Sequence, residues 1–320
     1  METTSDRMIN SVVFMGTPQF AVPLLQVLSN SKYCPELVVT QPDRPKGRNR
    51  KLHSPQVKIA ALELGIPVIQ PEDVNNPVAI EQIASVSPDI IVTTAYGGYI
   101  RRKLRRLTPL GCLNLHPSLL PKYRGAAPVN ATLFNGETET GNTIFRMVAS
   151  MDAGKILFQS KTPIKPDECY TELLTRLAES GAEEMVALLA TLEQGNVIPY
   201  PQDHELATFS RKLEREDFFI DWQKPAEEVI NHIRGLAISP GAVAFFRGKP
   251  LKIIRAEIIE TTSNHIPAHI TLIDKSVCVS TASTDIRLLE VQPAGKKIMS
   301  AEAFNRGARI IKGEQFDTTS

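Results

Sequence analysis

Ser11-Val12-Val13-Phe14-Met15-Gly16-Thr17-Pro18, continued by the periodic segment Phe20–Leu28, decides how the first half of the chain is read. A short apolar run suits a strand. Thr17 can cap the helix that follows, and Pro18 suits its first position, where a missing N–H costs nothing. The alternation then recurs. Glu36–Thr40 (ELVVT) reads as a second strand, and Ile90–Thr94 (IIVTT) as another after the helix-like Ala79–Ala84. Cys112–His116 (CLNLH) reads as a further strand, and Tyr170–Leu192 as a long amphipathic helix. Strands alternating with helices predict an α/β fold with a mostly parallel, open sheet. Ligands of such sheets bind beyond the carboxyl ends of the strands, so the residues just after ELVVT, IIVTT and CLNLH are the ones that matter.

The turn after the first strand, MGTPQF, has one glycine and a proline in place of a G-x-G-x-x-G or Walker loop. Phosphates are held at such turns by consecutive backbone N–H groups, and Pro18 removes one. The turn is therefore not expected to cradle a phosphate, and no nicotinamide or nucleotide triphosphate is expected.

The pattern changes after about Tyr200. Val243–Phe246, Leu251–Ala256, His269–Ile273, Val277–Ser280 and Ile286–Val291 read as short strands, flanked by helix-like Pro225–Leu236 and Ser300–Arg309. Five short strands with brief turns suggest a small β-barrel of the OB type. Ile198–Ala207, with two prolines and several polar residues, reads as a linker. The expected organisation is thus 1–197, a linker at 198–207, and 208–320, without internal repeats.

With 320 residues, 42% apolar and 22% charged, the composition is that of an ordinary soluble protein of two domains. No stretch approaches the roughly 20 apolar residues a membrane helix needs. The opening METTSDRMIN carries no apolar run, so export is not expected and a cytoplasmic location is. Cys34, Cys112, Cys169 and Cys278 lie far apart and read as reduced thiols. His265 and His269 are the only close histidine pair, and Pro267 interrupts them, so no metal site is expected. The net charge of +1 conceals three basic clusters: Arg44, Lys46, Arg48, Arg50 and Lys51; Arg101, Arg102, Lys103, Arg105 and Arg106; and Lys296, Lys297, Arg306, Arg309 and Lys312. Singly, each suits a solvated face; together they point to a polyanionic partner.

Chemistry concentrates in Asn114-Leu115-His116-Pro117-Ser118-Leu119-Leu120-Pro121, then Arg124-Gly125, with Met151-Asp152-Ala153-Gly154 further on. Asn114 and His116 are two apart at a strand end, so both side chains point the same way. An amide donor and an imidazole at the mouth of a crevice, joined by a carboxylate such as Asp152, suit acyl transfer to an amine. A tetrahedral intermediate needs donors for its oxyanion, and the attacking ammonium must lose a proton. Each residue also has an ordinary reading: Asn114 capping a turn, His116 in a loop, Asp152 in a surface turn.

N-L-H-P-S-L-L-P, R-G-A-A-P and M-D-A-G together resemble the signature of the folate-dependent formyltransferases. The resemblance extends through MGTPQFAVPLL, TQPDRPKGR, FIDWQKPAEEVINHIR and QPAGKKIMS to members acting on methionyl-tRNA, and covers nearly the whole chain. It implies a Rossmann-like N-terminal domain, an OB-like C-terminal barrel that binds tRNA, and 10-formyltetrahydrofolate as donor. Formyl transfer to the amine of initiator methionyl-tRNA, by a monomer without metal, follows as the expected function. On the same resemblance Asn114, His116 and Asp152 match the catalytic trio, and Ser118, Leu119, Leu120 and Pro121 the folate-binding loop. The basic segment Gln41–Leu52, with Arg44, Lys46, Arg48, Arg50 and Lys51, matches a loop that approaches the tRNA acceptor end. It is expected to be exposed and mobile, ordering when RNA arrives. Two departures stand out. After Ala95-Tyr96-Gly97 the chain runs Gly98-Tyr99-Ile100-Arg101-Arg102, where the family usually has apolar residues and a proline near the pterin pocket, and Pro267-Ala268 replaces the common Pro-Gly.

Two rivals share part of this evidence. Ribonucleotide formyltransferases use a glycine-rich phosphate turn and lack a barrel, and a sugar-nucleotide enzyme has no evident use for TQPDRPKGRNRKL. A non-catalytic RNA-binding protein would not need Asn114, His116 and Asp152 together, and the barrel lacks a dense aromatic set for base stacking.

Overall fold

The structure, a computed structural model, describes residues 8–46, 51–260, 266–311 and 313–317. The chain divides into two compact units: Met1–Gly125, Thr140–Thr162 and Leu174–Phe209 form one, and Ala126–Glu139, Pro163–Leu173 and Ser210–Ser320 the other.

The first unit is built on seven strands: β1 (Val12–Gly16), β2 (Leu37–Val39), β3 (Val68–Ile69), β4 (Ile90–Thr94), β5 (Cys112–His116), β6 (Glu139–Arg146) and β7 (Ile156–Pro163). Their order across the sheet is β7-β6-β5-β4-β1-β2-β3. The pairs β1–β2, β1–β4, β2–β3 and β4–β5 are parallel, and β6 runs antiparallel to β5. The chain winds outward from β1 to β3 and then returns to β4 on the other side of β1. The carboxyl ends of β1 and β4 thus form a topological switch point, with the end of β5 beside it.

Burial on both faces explains why these strands are continuous apolar runs rather than alternating ones. Val12 and Phe14 enter one core with Leu24, Leu28, Val92, Leu113 and Leu115, while Val13 and Met15 enter another with Val39, Ile91, Ile83 and Cys112. On the first face lie Ala182, Met185, Leu188, Leu189 and Leu192 of the helix Tyr170–Glu193, at the spacing of one helical stripe. Strand alternation therefore directs Leu113 and Leu115 into this core and turns Asn114 and His116 to the face of Cys112.

Helices Val22–Ser29, Gln56–Glu63 and Pro77–Ala84 complete the layers. Asn76 caps the last of these by accepting the Ala79 N–H at 2.7 Å, with Pro77 in the first turn. Thr17 does not cap its helix. A single 3-10 turn, Gln19–Ala21, precedes Val22, and the Thr17 hydroxyl instead donates to the carbonyl of Tyr96 at 2.7 Å. It also accepts the Gln41 N–H at 3.4 Å, so one threonine ties together the chain leaving β1, β2 and β4. At a switch point three chain ends compete for the same hydroxyl, and the longer-range bonds prevail over the local cap.

The second unit holds a six-stranded antiparallel sheet of β8 (Ala242–Phe246), β9 (Lys249–Ile259), β10 (Ile270–Ile273), β11 (Ser276–Ser280), β12 (Asp285–Pro293) and β13 (Met299–Ser300). The order is β8-β9-β12-β11-β10, with β13 on β12. The last described segment reaches both edge strands: Asp317 donates to the Phe245 carbonyl at 2.8 Å, and the Ile270 N–H donates to the Glu314 carbonyl at 2.7 Å. Between them Phe316 is buried and stacks on Trp222, ring centroids 5.2 Å apart. Helices Ala226–Leu236 and Ala301–Ala308 belong to this unit, and Ser300 caps the second by accepting the Ala303 N–H at 3.2 Å.

Candidate active site

The site is assembled at the carboxyl end of β5. Asn114 pairs in register with Thr93 of β4, one strand from the switch point. The Thr93 hydroxyl lies 2.7 Å from Oδ1 of Asn114 and 2.9 Å from the carbonyl oxygen of Leu113. With Oδ1 within reach of that hydroxyl, the –NH2 of the half-buried amide is the group left to donate to a ligand.

His116 is only 5% exposed. Its Nε2 stands 3.0 Å from the carbonyl oxygen of Tyr123. A carbonyl only accepts, so Nε2 carries a proton, and whenever the ring is neutral its lone pair lies on Nδ1. Nδ1 faces Oδ2 of Asp152 across 3.8 Å. Two acceptors at that separation do not bond each other directly, but a donor placed between them would satisfy both.

Asp152 reaches this position through an unusual turn. Its φ of 47° lies in the left-handed region, a strained conformation for a residue with a side chain. Oδ2 accepts the Gly125 N–H at 2.8 Å, and Gly125 itself has φ 117°, which suits glycine. Two residues on, Gly154 packs so closely that a Cβ would stand 1.7 Å from the carbonyl oxygen of Arg146. Gly154 of M-D-A-G thus serves close backbone approach, and Gly125 of R-G a positive φ.

The Pro117–Pro121 segment folds on itself. Ser118 is fully buried and donates to the Lys122 carbonyl at 2.7 Å, and Leu120 is buried as well. Thr143 donates to the Ser118 carbonyl at 2.6 Å, and Gln159 donates to the Leu120 carbonyl at 3.0 Å. A ligand there would meet half-exposed Leu119 and Pro121 and the backbone rather than the Ser118 hydroxyl. Nearby, burial pushes the Tyr96 phenol up to about 12 and the Cys112 thiol likewise to about 12. Cys112 is therefore a protonated, buried thiol and no nucleophile. In the departing segment Gly98–Arg102, Asn75 donates to the Tyr99 carbonyl at 2.7 Å and accepts the Arg101 N–H at 2.7 Å, fixing a loop from which Tyr99 projects.

Of the basic segment, the arms Arg44–Lys46 and Lys51–His53 form a short antiparallel ladder in place of an irregular loop. Arg44 is exposed and pairs with Glu72 at 2.5 Å. Arg48 and Arg50 lie outside the described residues. At the base of the ladder Asp43 accepts from Lys58 at 2.8 Å, Gln70 at 2.7 Å and Ser54 at 3.0 Å. The Gln70 amide, then the Lys58 ammonium, hold its carboxyl down at about 2.

The family resemblance names Asn114, His116 and Asp152 as a trio, of which the structure sets Asp152 opposite His116; Thr93 and Tyr123 were not among the candidates read from the sequence. The paired hydroxyls at the end of IIVTT were the visible sign of the first. Tyr123 acts through its backbone, which leaves no trace in residue type.

A family model described as "Formyl transferase" matches residues 9–189, and one described as "Formyl transferase, C-terminal domain" matches residues 212–309. A methionyl-tRNA formyltransferase of Syntrophus aciditrophicus is 42% identical over 304 residues, covering 95% of this chain and 97% of that protein. One of Roseiflexus castenholzii is 43% identical over 307 residues, covering 95% and 98%. Among solved structures, WlaRD, a sugar 3N-formyl transferase crystallised with dTDP and 5-N-formyl-THF, superposes with a TM-score of 0.65 at 18% identity over 91% of this chain and all of that one. At that identity the likeness concerns the fold.

Proposed function

The chain belongs to the formyl transferase family, and from that premise we propose that it moves the formyl group of 10-formyltetrahydrofolate onto the free amino group of initiator methionyl-tRNA. The product is N-formylmethionyl-tRNA, the species that begins translation. The choice of acceptor is supported by the near-full-length identity to methionyl-tRNA formyltransferases. The chemistry is supported by one observation above the rest: with its Nε2 held by the Tyr123 carbonyl, His116 turns Nδ1 to face the Asp152 carboxylate across 3.8 Å.

An aminoacyl ammonium is a donor that fits between two such acceptors. His116 and Asp152 take up its proton and free the lone pair for attack on the formyl carbon. A C–N bond forms and the carbonyl becomes an oxyanion, to which the Asn114 –NH2 donates. The attached nitrogen gives up its second proton to solvent, the bond between the formyl carbon and N10 of the folate breaks, and the proton held at the His116–Asp152 pair passes to the leaving nitrogen. Leu119, Pro121 and the surrounding backbone are assigned to the folate, and Arg44, Lys46, Arg48, Arg50 and Lys51 to phosphates of the tRNA.

The test is to supply formyl-folate with methionyl-tRNA or a dTDP-amino sugar. Formylmethionine on the tRNA alone is expected. A formylated sugar nucleotide with unchanged tRNA would overturn the choice of acceptor.

A further inference from the structure

The segment Ile198–Ala207, which reads as a linker, holds a buried amide that no step of the reaction uses directly. Tyr200 in this segment exchanges backbone hydrogen bonds with Ile156, at 2.8 and 3.0 Å, which lays the chain along the end of β7. Two residues later Gln202 is only 5% exposed, and its amide is satisfied on both sides. Oε1 accepts Nε of Arg124 at 3.1 Å and Nη2 of Arg124 at 2.6 Å. Nε2 donates to the carbonyls of Asp152 at 2.7 Å and Gly154 at 2.8 Å. Because a guanidinium only donates and a carbonyl only accepts, this amide can sit in one orientation alone.

The consequence lies at Asp152. Its left-handed backbone does not hold itself, and the two Gln202 bonds grip the carbonyls of Asp152 and Gly154, on either side of Ala153. On its other side the same amide holds Arg124, the residue before the Gly125 N–H that Oδ2 of Asp152 accepts. Both ends of the Asp152–Gly125 contact are therefore referred to one side chain. We infer that Gln202 is a positioning residue for formyl transfer: it fixes the Asp152 carboxylate against Nδ1 of His116 and touches neither substrate. The assignment rests on the formyl-transfer function proposed above.

The test is a double-mutant cycle on the full chain. Gln202→Glu keeps the size and the acceptor for Arg124 but replaces both N–H donors with oxygen. Single-turnover formyl transfer should fall about 10- to 100-fold, the scale set by a displacement of order 1 Å in a catalytic group. Affinities for formyl-folate and methionyl-tRNA should stay within about twofold, since the contact is made to neither. In an Asp152→Ala background, Gln202→Glu should change the rate by less than about twofold, because there is no carboxylate left to place. An additive loss in that background, a loss confined to substrate affinity, or no loss at all would overturn the proposal. If Gln202→Glu does not fold, the uncharged Gln202→Met is read in the same way. A wild-type protein that leaves methionyl-tRNA unformylated defeats the functional premise instead. A crystal structure of Gln202→Met then decides the positioning role by itself: Asp152 should leave the Gly125 N–H, and a carboxylate still 2.8 Å from it would overturn the assignment.

Discussion

Oδ2 of Asp152 stands 3.8 Å from Nδ1 of His116, while Nε2 of the same ring is held 3.0 Å from the Tyr123 carbonyl. The carboxylate does not act as the orienting partner that a directly bonded aspartate would be; the backbone of Tyr123 does that work. Asp152 and, in its neutral form, His116 are instead two acceptors facing a shared space, which suits removal of a proton from an ammonium. The position of Asp152 depends in turn on the Gly125 N–H and on the amide of Gln202.

Asn114 should be needed for the oxyanion and not for binding. Asn114→Ala is expected to lower turnover by roughly 10²–10³, the usual cost of one lost donor. Thr93→Val, which removes the hydroxyl 2.7 Å from Oδ1 while keeping the shape, should cost part of that loss with the protein still folded. Rapid-quench rates at saturating substrates measure both. A Thr93→Val rate below that of Asn114→Ala would show that Thr93 acts through something other than Asn114.

The basic arms should act on phosphates. Among the described residues Arg44 gives up only an exposed pair with Glu72, which is worth little. Arg44→Ala with Lys51→Ala should weaken methionyl-tRNA binding and flatten its salt dependence by about 1.4 in slope, at about 0.7 for each single-strand phosphate. Arg48→Ala should act in the same direction. Slow hydrolysis of formyl-folate, which needs no RNA, should be unchanged. Equal loss of hydrolysis would make the arms part of the catalytic scaffold.

The anchor of those arms should be sensitive to acid. Asp43 titrates at about 2 in the folded chain against an ordinary 3.8, because Gln70 and then Lys58 favour the carboxylate. A lowered folded value means stabilisation that is complete above the unfolded pKa and disappears as pH falls through the folded one. The difference in melting temperature between wild type and Asp43→Asn should therefore be constant from about pH 7 to 5 and shrink between about pH 4 and 2. A difference that widens on acidification would contradict the assignment.

Much of the fold was legible because apolar runs and turns recur at regular intervals. SVVFM, IIVTT and CLNLH fall within one strand-end residue of β1, β4 and β5, and all five strands expected after Tyr200 are present. The strands β6 and β7 escaped notice. Glu139–Arg146 interleaves Thr, Gly and Asn with its apolar residues, and the buried Asn142 amide has its partners in a distant helix: the Leu177 carbonyl at 3.0 Å, the Ser180 hydroxyl at 3.0 Å and the Glu184 carboxylate at 3.1 Å. A strand stabilised by a tertiary hydrogen bond carries no local hydrophobic signature. The same holds for the site. Asn114 and His116 announce themselves by spacing at a strand end. Gln202 lies 50 positions from Asp152 in a Pro-rich segment, and its role exists only once the chain has folded.

The most direct test of the account is Asp152→Asn, followed by single-turnover formyl transfer and methionyl-tRNA binding on the same preparation. The substitution keeps the shape of the side chain and removes the charge that faces Nδ1 of His116. The rate is predicted to fall by about 10²–10⁴ with tRNA affinity within about twofold of wild type, because the proton acceptor is lost and the basic contacts are not. A rate close to wild type, or a loss that follows tRNA affinity alone, would contradict the account.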